Sequence, residues 1–244
     1  MASPLEQFTI KPIVPLSLGK LDISFTNSAL MMTLAVAAIA VLLVVSVRRR
    51  DLVPGRLQSV AELSYEFIAG MVRENVGDEG RKYFPFIFSI FMFVLFGNLL
   101  GLIPGAFTFT SHIAVTFSLA LVIFLGVTTI GLARHGTHFF SLFFPHGAPL
   151  AAAPILIPIE VISYLSRPIS LSVRLFANMT VGHIILKIFA GFVVSLGAFF
   201  VLPGIVPMGL LVGLTALEFF VAFLQAYIFT ILSCIYLNDA IHLH

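Results

Sequence analysis

EVISYLSRPISLSVRLFANMTVGHIILK, residues 160 to 187, decides how the chain is read. It lies inside a run apolar enough to cross a bilayer, yet it carries Glu160, Arg167, Arg174, His183 and Lys187. An ionisable group at bilayer depth costs roughly 3 kcal/mol or more, so it marks function by default. Arginine is the least forgiving of these groups, because its guanidinium does not deprotonate inside proteins. A neutral residue at 174 would be far cheaper, so the fold has to find a place for Arg174.

The rest of the chain is equally membrane-like. Of its 244 residues, 59% are hydrophobic and 10% charged, with a mean hydropathy of +1.11. Soluble domains carry about 25% charged residues. The apolar runs are long and unbroken rather than short and alternating, which predicts an all-α integral membrane protein in a lipid bilayer. Cys234 stands alone, so a disulfide framework and a multi-cysteine metal site are both excluded. Its simplest role is that of a small core residue. A net charge of +2 gives no reason to expect nucleic acid as a partner.

Residues 1–28 hold Pro4, Pro12 and Pro15 and predict an irregular or surface-lying arm. Residues 29–47 form the first spanning helix of a membrane domain that occupies 29–244, and Arg48, Arg49 and Arg50 follow at once. A signal peptide carries its positive charge before the apolar run. The cluster after it marks the cytoplasmic side instead. Residues 56–75 put Leu57, Val60, Ala61, Phe67, Ile68, Met71 and Val72 on one face and Gln58, Ser59, Glu62, Glu66 and Arg73 on the other. That pattern predicts an amphipathic interfacial helix, with a cytoplasmic hairpin as the alternative.

Residues 83–103 and 113–133 are the next two spans. Asn98, in FGNLLGLIP, needs a partner from a neighbouring helix. The loop from Arg134 to Pro149 holds His135, His138 and His146. Without acidic or cysteine partners nearby they read as a polar loop rather than a metal site.

Two longer segments remain, 154–196 and 205–237. At 1.5 Å per residue they would be roughly 65 Å and roughly 50 Å long, against a hydrocarbon core of about 30 Å. Either they tilt or break, or each folds back as a hairpin. Charge favours two long tilted helices. With five crossings, eight of the 13 basic residues (Arg48, Arg49, Arg50, Arg56, Arg73, Arg81, Lys82 and Arg134) fall on the inner side. The N-terminus is then outside, the C-terminus inside, and the uncharged 197–208 loop outside. Pro168 removes a backbone donor and is expected to kink the 154–196 helix.

At about 100° per residue, Glu160, Ser163, Arg167, Ser170, Arg174 and Asn178 form one stripe of that helix. Thr180, His183 and Lys187 form a second. Glu218 and Gln225 share a face of the last helix. A bilayer helix with two polar stripes must present both to protein or water, so one can meet the last helix and the other a separate partner. Arg174 supplies a fixed charge that attracts a carboxylate and repels a hydrated proton. His183 and Glu218 are able to exchange protons. Glu160 serves either a proton path or the neutralisation of Arg167. Asn178 and Gln225 also fit interhelical hydrogen bonding, and Lys187 fits snorkelling to the interface.

The run SLSVRLFANMTVGH, 170–183, resembles the SxxLRLFxNxxxGx signature of subunit a of the F-type ATP synthase. FGNLLGLIP at 96–104 and LEFFVAFLQAYIFTILSCIYL at 217–237 are similar to that family too, so the likeness spans about residues 25–240. The resemblance implies a proton-translocating stator subunit in the F0 sector. It would give two aqueous half-channels to the carboxylates of a c-subunit ring and would sit beside peripheral-stalk b subunits. It would not be an enzyme alone and would need no cofactor. Arg174 would be the essential arginine, with Asn178 and Gln225 beside it and Ser170 on the same stripe. Many bacterial members place an acid at the position of His183 and a histidine at that of Glu218; here the pair is exchanged, as in mitochondrial versions. Near the inner end Asp239, His242 and His244 fit either proton exit or a solvated terminus.

Two other classes fit less well. A secondary transporter with an arginine counter-charge would show internal repeats and discontinuous helices, and no repeat is visible. A haem-carrying or quinone-reactive anchor would want paired histidines at membrane depth, where only His183 qualifies. The expected setting is the bacterial inner membrane, with the mitochondrial inner membrane second.

Overall fold

Among the described residues, six α-helices follow the apolar runs: α1 (Asn27–Arg48), α2 (Arg56–Val76), α3 (Phe84–Gly101), α4 (Ile113–His135), α5 (Ala153–Gly197) and α6 (Val201–Ile241). The structure is a computed structural model that describes residues 8–15, 17–18, 21–22, 24–48, 54–103, 105–143, 153–197 and 201–242. Arg49, Arg50, Pro4, Pro104, His146 and His244 lie outside the described residues. Five helices (α1, α3, α4, α5 and α6) are long and apolar enough to cross a membrane. The protein is therefore an all-α integral membrane protein.

The two long segments are single helices rather than hairpins. α5 has 45 residues and continues through Pro158 and Pro168. α6 has 41 residues and continues through Pro207. At 1.5 Å per residue they reach roughly 67 Å and roughly 61 Å. α6 runs further at its C-terminal end than the apolar run suggested, and the extra turn carries Asn238 and Asp239.

α6 is the hub. It packs against α5, α3, α2 and α4. Lipid tails are as apolar as leucine, so helices in a bilayer gain little from hiding apolar surface and associate through close packing and hydrogen bonds. Small side chains serve that purpose: Ala222, Ala226, Ser233 and Cys234 of α6 are fully buried. The hydroxyls of Thr230 and Ser233 donate to carbonyls of their own helix, so neither is left bare. Asn98 of α3 finds the interhelical partner it needs, donating to the Ala222 carbonyl at 3.2 Å.

α2 buries Ile68, Met71, Val72 and Val76 against the bundle while Leu57, Val60 and Leu63 stay exposed. At the N-terminal end, Pro12–Val14 pairs antiparallel with Phe25–Thr26. The Asn27 side chain ties this arm to the start of α1, accepting from Lys11 N at 3.2 Å and donating to the Thr9 carbonyl at 3.1 Å. Within the arm, expected to be irregular or surface-lying, Pro12–Val14 is exposed and belongs to a short ladder. Two of the 134–149 histidines have partners, one distant and one local: His135 Nε2 meets the Ile241 carbonyl of α6 at 3.0 Å, and His138 contacts Ser141. Arg134 beside them pairs with Glu79.

Between α3 and α4, a single turn at Phe109–Ser111 folds back onto α3. Phe109 is buried there, and a Cβ at Gly97 would overlap its ring. Gly97→Ala is expected to destabilise the solubilised protein by about 1–3 kcal/mol, the usual cost of overpacking. Gly70→Ala, where a Cβ meets nothing within 4 Å, should be close to neutral. Thermal midpoints in detergent decide it, and equal midpoints would refute the close approach.

Candidate functional site

α5 presents its two polar stripes to different surroundings. Ser170, Arg174 and Asn178 are exposed on the outside of the bundle. Their backbone is nonetheless fixed, because Gln225 of α6, only 3% exposed, donates Nε2–H to the Arg174 carbonyl at 2.9 Å. A helical carbonyl has a second lone pair free for such a bond. α6 thereby holds the Arg174 backbone while the guanidinium stays outside. Arg174 forms no ion pair among the described residues.

The second stripe turns inward. His183 Nδ1 lies 3.8 Å from Glu218 Oε1 of α6. Glu218 is 6% exposed, and neither carboxyl oxygen has a hydrogen-bond partner among the described residues. Gly182 makes the room, since a Cβ there would stand 2.6 Å from Oε1. On its other side His183 Nε2 contacts Thr108 Oγ1 at 2.9 Å. Thr180 donates to the Ser111 carbonyl at 3.3 Å. The Phe8 ring meets the imidazole edge-on, with centroids 6.5 Å apart. A cavity of about 200 Å³ adjoins Glu218, lined by Asn178, Gly182, Leu214 and Leu217. Lys187 is exposed.

At the other end of the seam, Arg167 binds Asp239 of α6, with Nη1 to Oδ2 at 2.9 Å. Its guanidinium carbon also lies over the rings of Tyr164 at 5.3 Å and Tyr236 at 4.9 Å. The Tyr164 hydroxyl reaches Thr128 of α4 at 2.6 Å. The sequence left Glu160 two roles, a proton path or the neutralisation of Arg167. Arg167 is neutralised by Asp239, not by Glu160, because the extra C-terminal turn of α6 comes alongside it. Asp239 is thus an interhelical ion-pair partner, with 32% of its side chain exposed. Glu160 is half-buried and has no ion pair among the described residues. His242 Nδ1 contacts Asn238 Oδ1 at 2.9 Å.

Gly182 belongs to the 170–183 motif, but the sequence did not point to Thr108, Tyr164 or Tyr236. The hydroxyl-rich run TFTSH at 108–112, set between apolar spans, was the available signal for Thr108. Titratable groups thus pair across the α5–α6 seam at two places, His183 with Glu218 and Arg167 with Asp239. A cation that does not exchange protons stands exposed between them.

The family described as ATP synthase A chain matches residues 29–238. The chain is 68% identical to the ATP synthase subunit a of Paramagnetospirillum magneticum, over 100% of both chains. It is 63% identical to that of Rhodospirillum rubrum, again over 100% of both. With that of Parvibaculum lavamentivorans it shares 54%, over 98% of this chain and 93% of the relative.

Removing Arg167 leaves the Asp239 carboxylate half-buried without its partner. Arg167→Ala is expected to cost about 1–3 kcal/mol and Glu160→Ala less than about 0.5 kcal/mol. Thermal unfolding of the purified variants compares them. Equal losses would return the ion pair to α5 alone.

Proposed function

Because the chain belongs to the ATP synthase subunit a family, a membrane part of the F0 sector that works with the other synthase subunits, we propose that it is the proton-translocating stator of a rotary motor. It offers two aqueous half-channels to the carboxylates of a c-subunit ring, with Arg174 as the barrier between them.

Arg174 is the observation that carries this reading. Its charge is exposed at the middle of α5, and no carboxylate among the described residues is paired to it. A permanently charged group with no internal counter-charge calls for one on a neighbour. Apolar side chains flank it, Ile169, Val173 and Val181 on α5 and Leu217, Phe220 and Leu224 on α6, all exposed. This surface suits a ring of apolar helices, each bringing one acid. At about 4 Å and an effective dielectric near 20, such a pair is worth about 4 kcal/mol. That is enough to draw each carboxylate in as an anion, and it also disfavours a proton crossing directly. Because Arg174 cannot lend its own proton, it separates the paths instead of joining them.

His183 and Glu218 serve one half-channel, on the side that also carries Thr108 and the 8–15 arm. Glu160, Asp239 and His242 line the other, where α5 begins and α6 ends. Asn178 and Ser170 flank Arg174 on its exposed face, and Gln225 holds its backbone. The N-terminus lies outside and the C-terminus in the cytoplasm of a bacterium, with the protein in the inner membrane; an odd number of crossings and the basic residues assigned to the inner side support this reading. Peripheral-stalk b subunits dock elsewhere on the bundle. A secondary transporter would need discontinuous helices at its centre, whereas α5 and α6 are each unbroken.

Arg174→Ala is expected to abolish proton-driven ATP synthesis in inverted membrane vesicles while the complex stays assembled; full synthesis would overturn the proposal. His183 and Glu218 are expected to act as a unit. The double Ala variant should therefore lose less than the product of the two single losses. Rates that multiply would make the two residues independent.

A further inference from the structure

Thr108 makes two contacts with one hydroxyl. Its Oγ1 lies 3.1 Å from the Gly101 carbonyl and 2.9 Å from His183 Nε2. Gly101 is the last residue of α3, so its carbonyl is one of those a helix end leaves without an intrahelical partner. A carbonyl only accepts, so the single hydroxyl proton goes to Gly101. The same oxygen must then accept from His183, which requires the proton on Nε2. If the hydroxyl donated to the imidazole instead, two acceptor oxygens would face each other at the end of α3. Only one assignment makes both contacts hydrogen bonds.

We infer that Thr108 is a positioning residue that holds neutral His183 as its Nε2–H tautomer and turns the Nδ1 lone pair towards Glu218. The inference rests on the proton-path reading of His183. Which ring nitrogen carries the proton is set by the bond that the other nitrogen makes, and outer partners of this kind fix ring orientation elsewhere. Three groups fix the ring here: the Thr108 hydroxyl at Nε2, the Phe8 edge, and Glu218 facing Nδ1. A proton leaving the Glu218 carboxyl is taken up by the Nδ1 lone pair, giving imidazolium and carboxylate. Return of that proton restores both neutral groups. A side-chain shift of about 1 Å brings the 3.8 Å pair to hydrogen-bond distance. Two further contacts hold Thr108 in place. Its carbonyl accepts from the Ser111 hydroxyl at 2.6 Å, and its side chain fills the space where a Cβ at Gly101 would stand.

The ionisable groups acting on His183 are Glu218 on α6 and Lys187 on α5. Segment 107–111 adds only hydroxyls and the arm adds Phe8, so a change at Thr108 alters no charge. The test measures ATP-driven proton pumping per assembled complex, across pH 6 to 9, in inverted vesicles carrying the whole synthase. Thr108→Val keeps the shape and removes the hydroxyl; Thr108→Ala removes it without adding bulk. Both are expected to pump about tenfold more slowly and to show a rate–pH profile displaced from the parent's. Thr108→Ser should restore both rate and profile. A uniform loss at every pH, a parental profile in either hydroxyl-free variant, or failure of both to assemble would make Thr108 merely structural and overturn the inference. His183→Ala in the same vesicles separates the two proposals. If it pumps normally, the proton-path reading fails; if it is impaired while Thr108→Val is not, only the tautomer inference fails.

Discussion

Hydrocarbon offers no hydrogen bonds, so each polar group that this chain carries into the bilayer must meet protein or water. The α5–α6 seam is where that demand is met. Gln225 is accommodated by the Arg174 carbonyl, and Glu218 sits beside His183 and a small cavity. Asn98 reaches the Ala222 carbonyl from α3. Each contact ties one helix to the backbone or side chain of another, so satisfying polar groups and fixing helix register are one event.

Arg174 uses this arrangement in reverse. Its backbone is gripped by α6, yet its side chain is turned out of the bundle. A charged group whose position is fixed but whose partner is external suits a surface past which acids move one at a time. The proposed stator role needs both properties together. A loosely held arginine would follow each carboxylate, and an internally paired one would ignore it.

Close approach makes the rest possible. Alanine, serine and cysteine on α6 and glycine on α3 bring backbones together where dispersion contacts replace the missing hydrophobic drive. At Gly182 the absent side chain is filled by the Glu218 carboxylate, so the position that allows packing also admits a titratable group. The far end of the seam is closed by Arg167 and Asp239 between two tyrosine rings. With that pair at one end and His183–Glu218 at the other, α6 is held against α5 on both sides of Arg174.

The sequence by itself determined the class and most of the seam. Apolar runs longer than a bilayer is thick require long helices, and the helical repeat alone puts Arg174 and His183 on different faces of one helix. These are local properties, set by rise and turn per residue. Only the tertiary structure decided the partners. The shared stripe offered Glu160 as a partner of Arg167 or as part of a proton path, but the pairing depends on how far α6 extends past its apolar run, and that takes Asp239 to Arg167. Thr108 was not legible because it lies between helices, where no periodicity fixes which way a hydroxyl points. Its place beside His183, 75 positions along the chain, follows from the fold-back of 107–111 onto α3. Helix phase is written residue by residue, whereas a hydrogen bond between elements exists only once both have been packed.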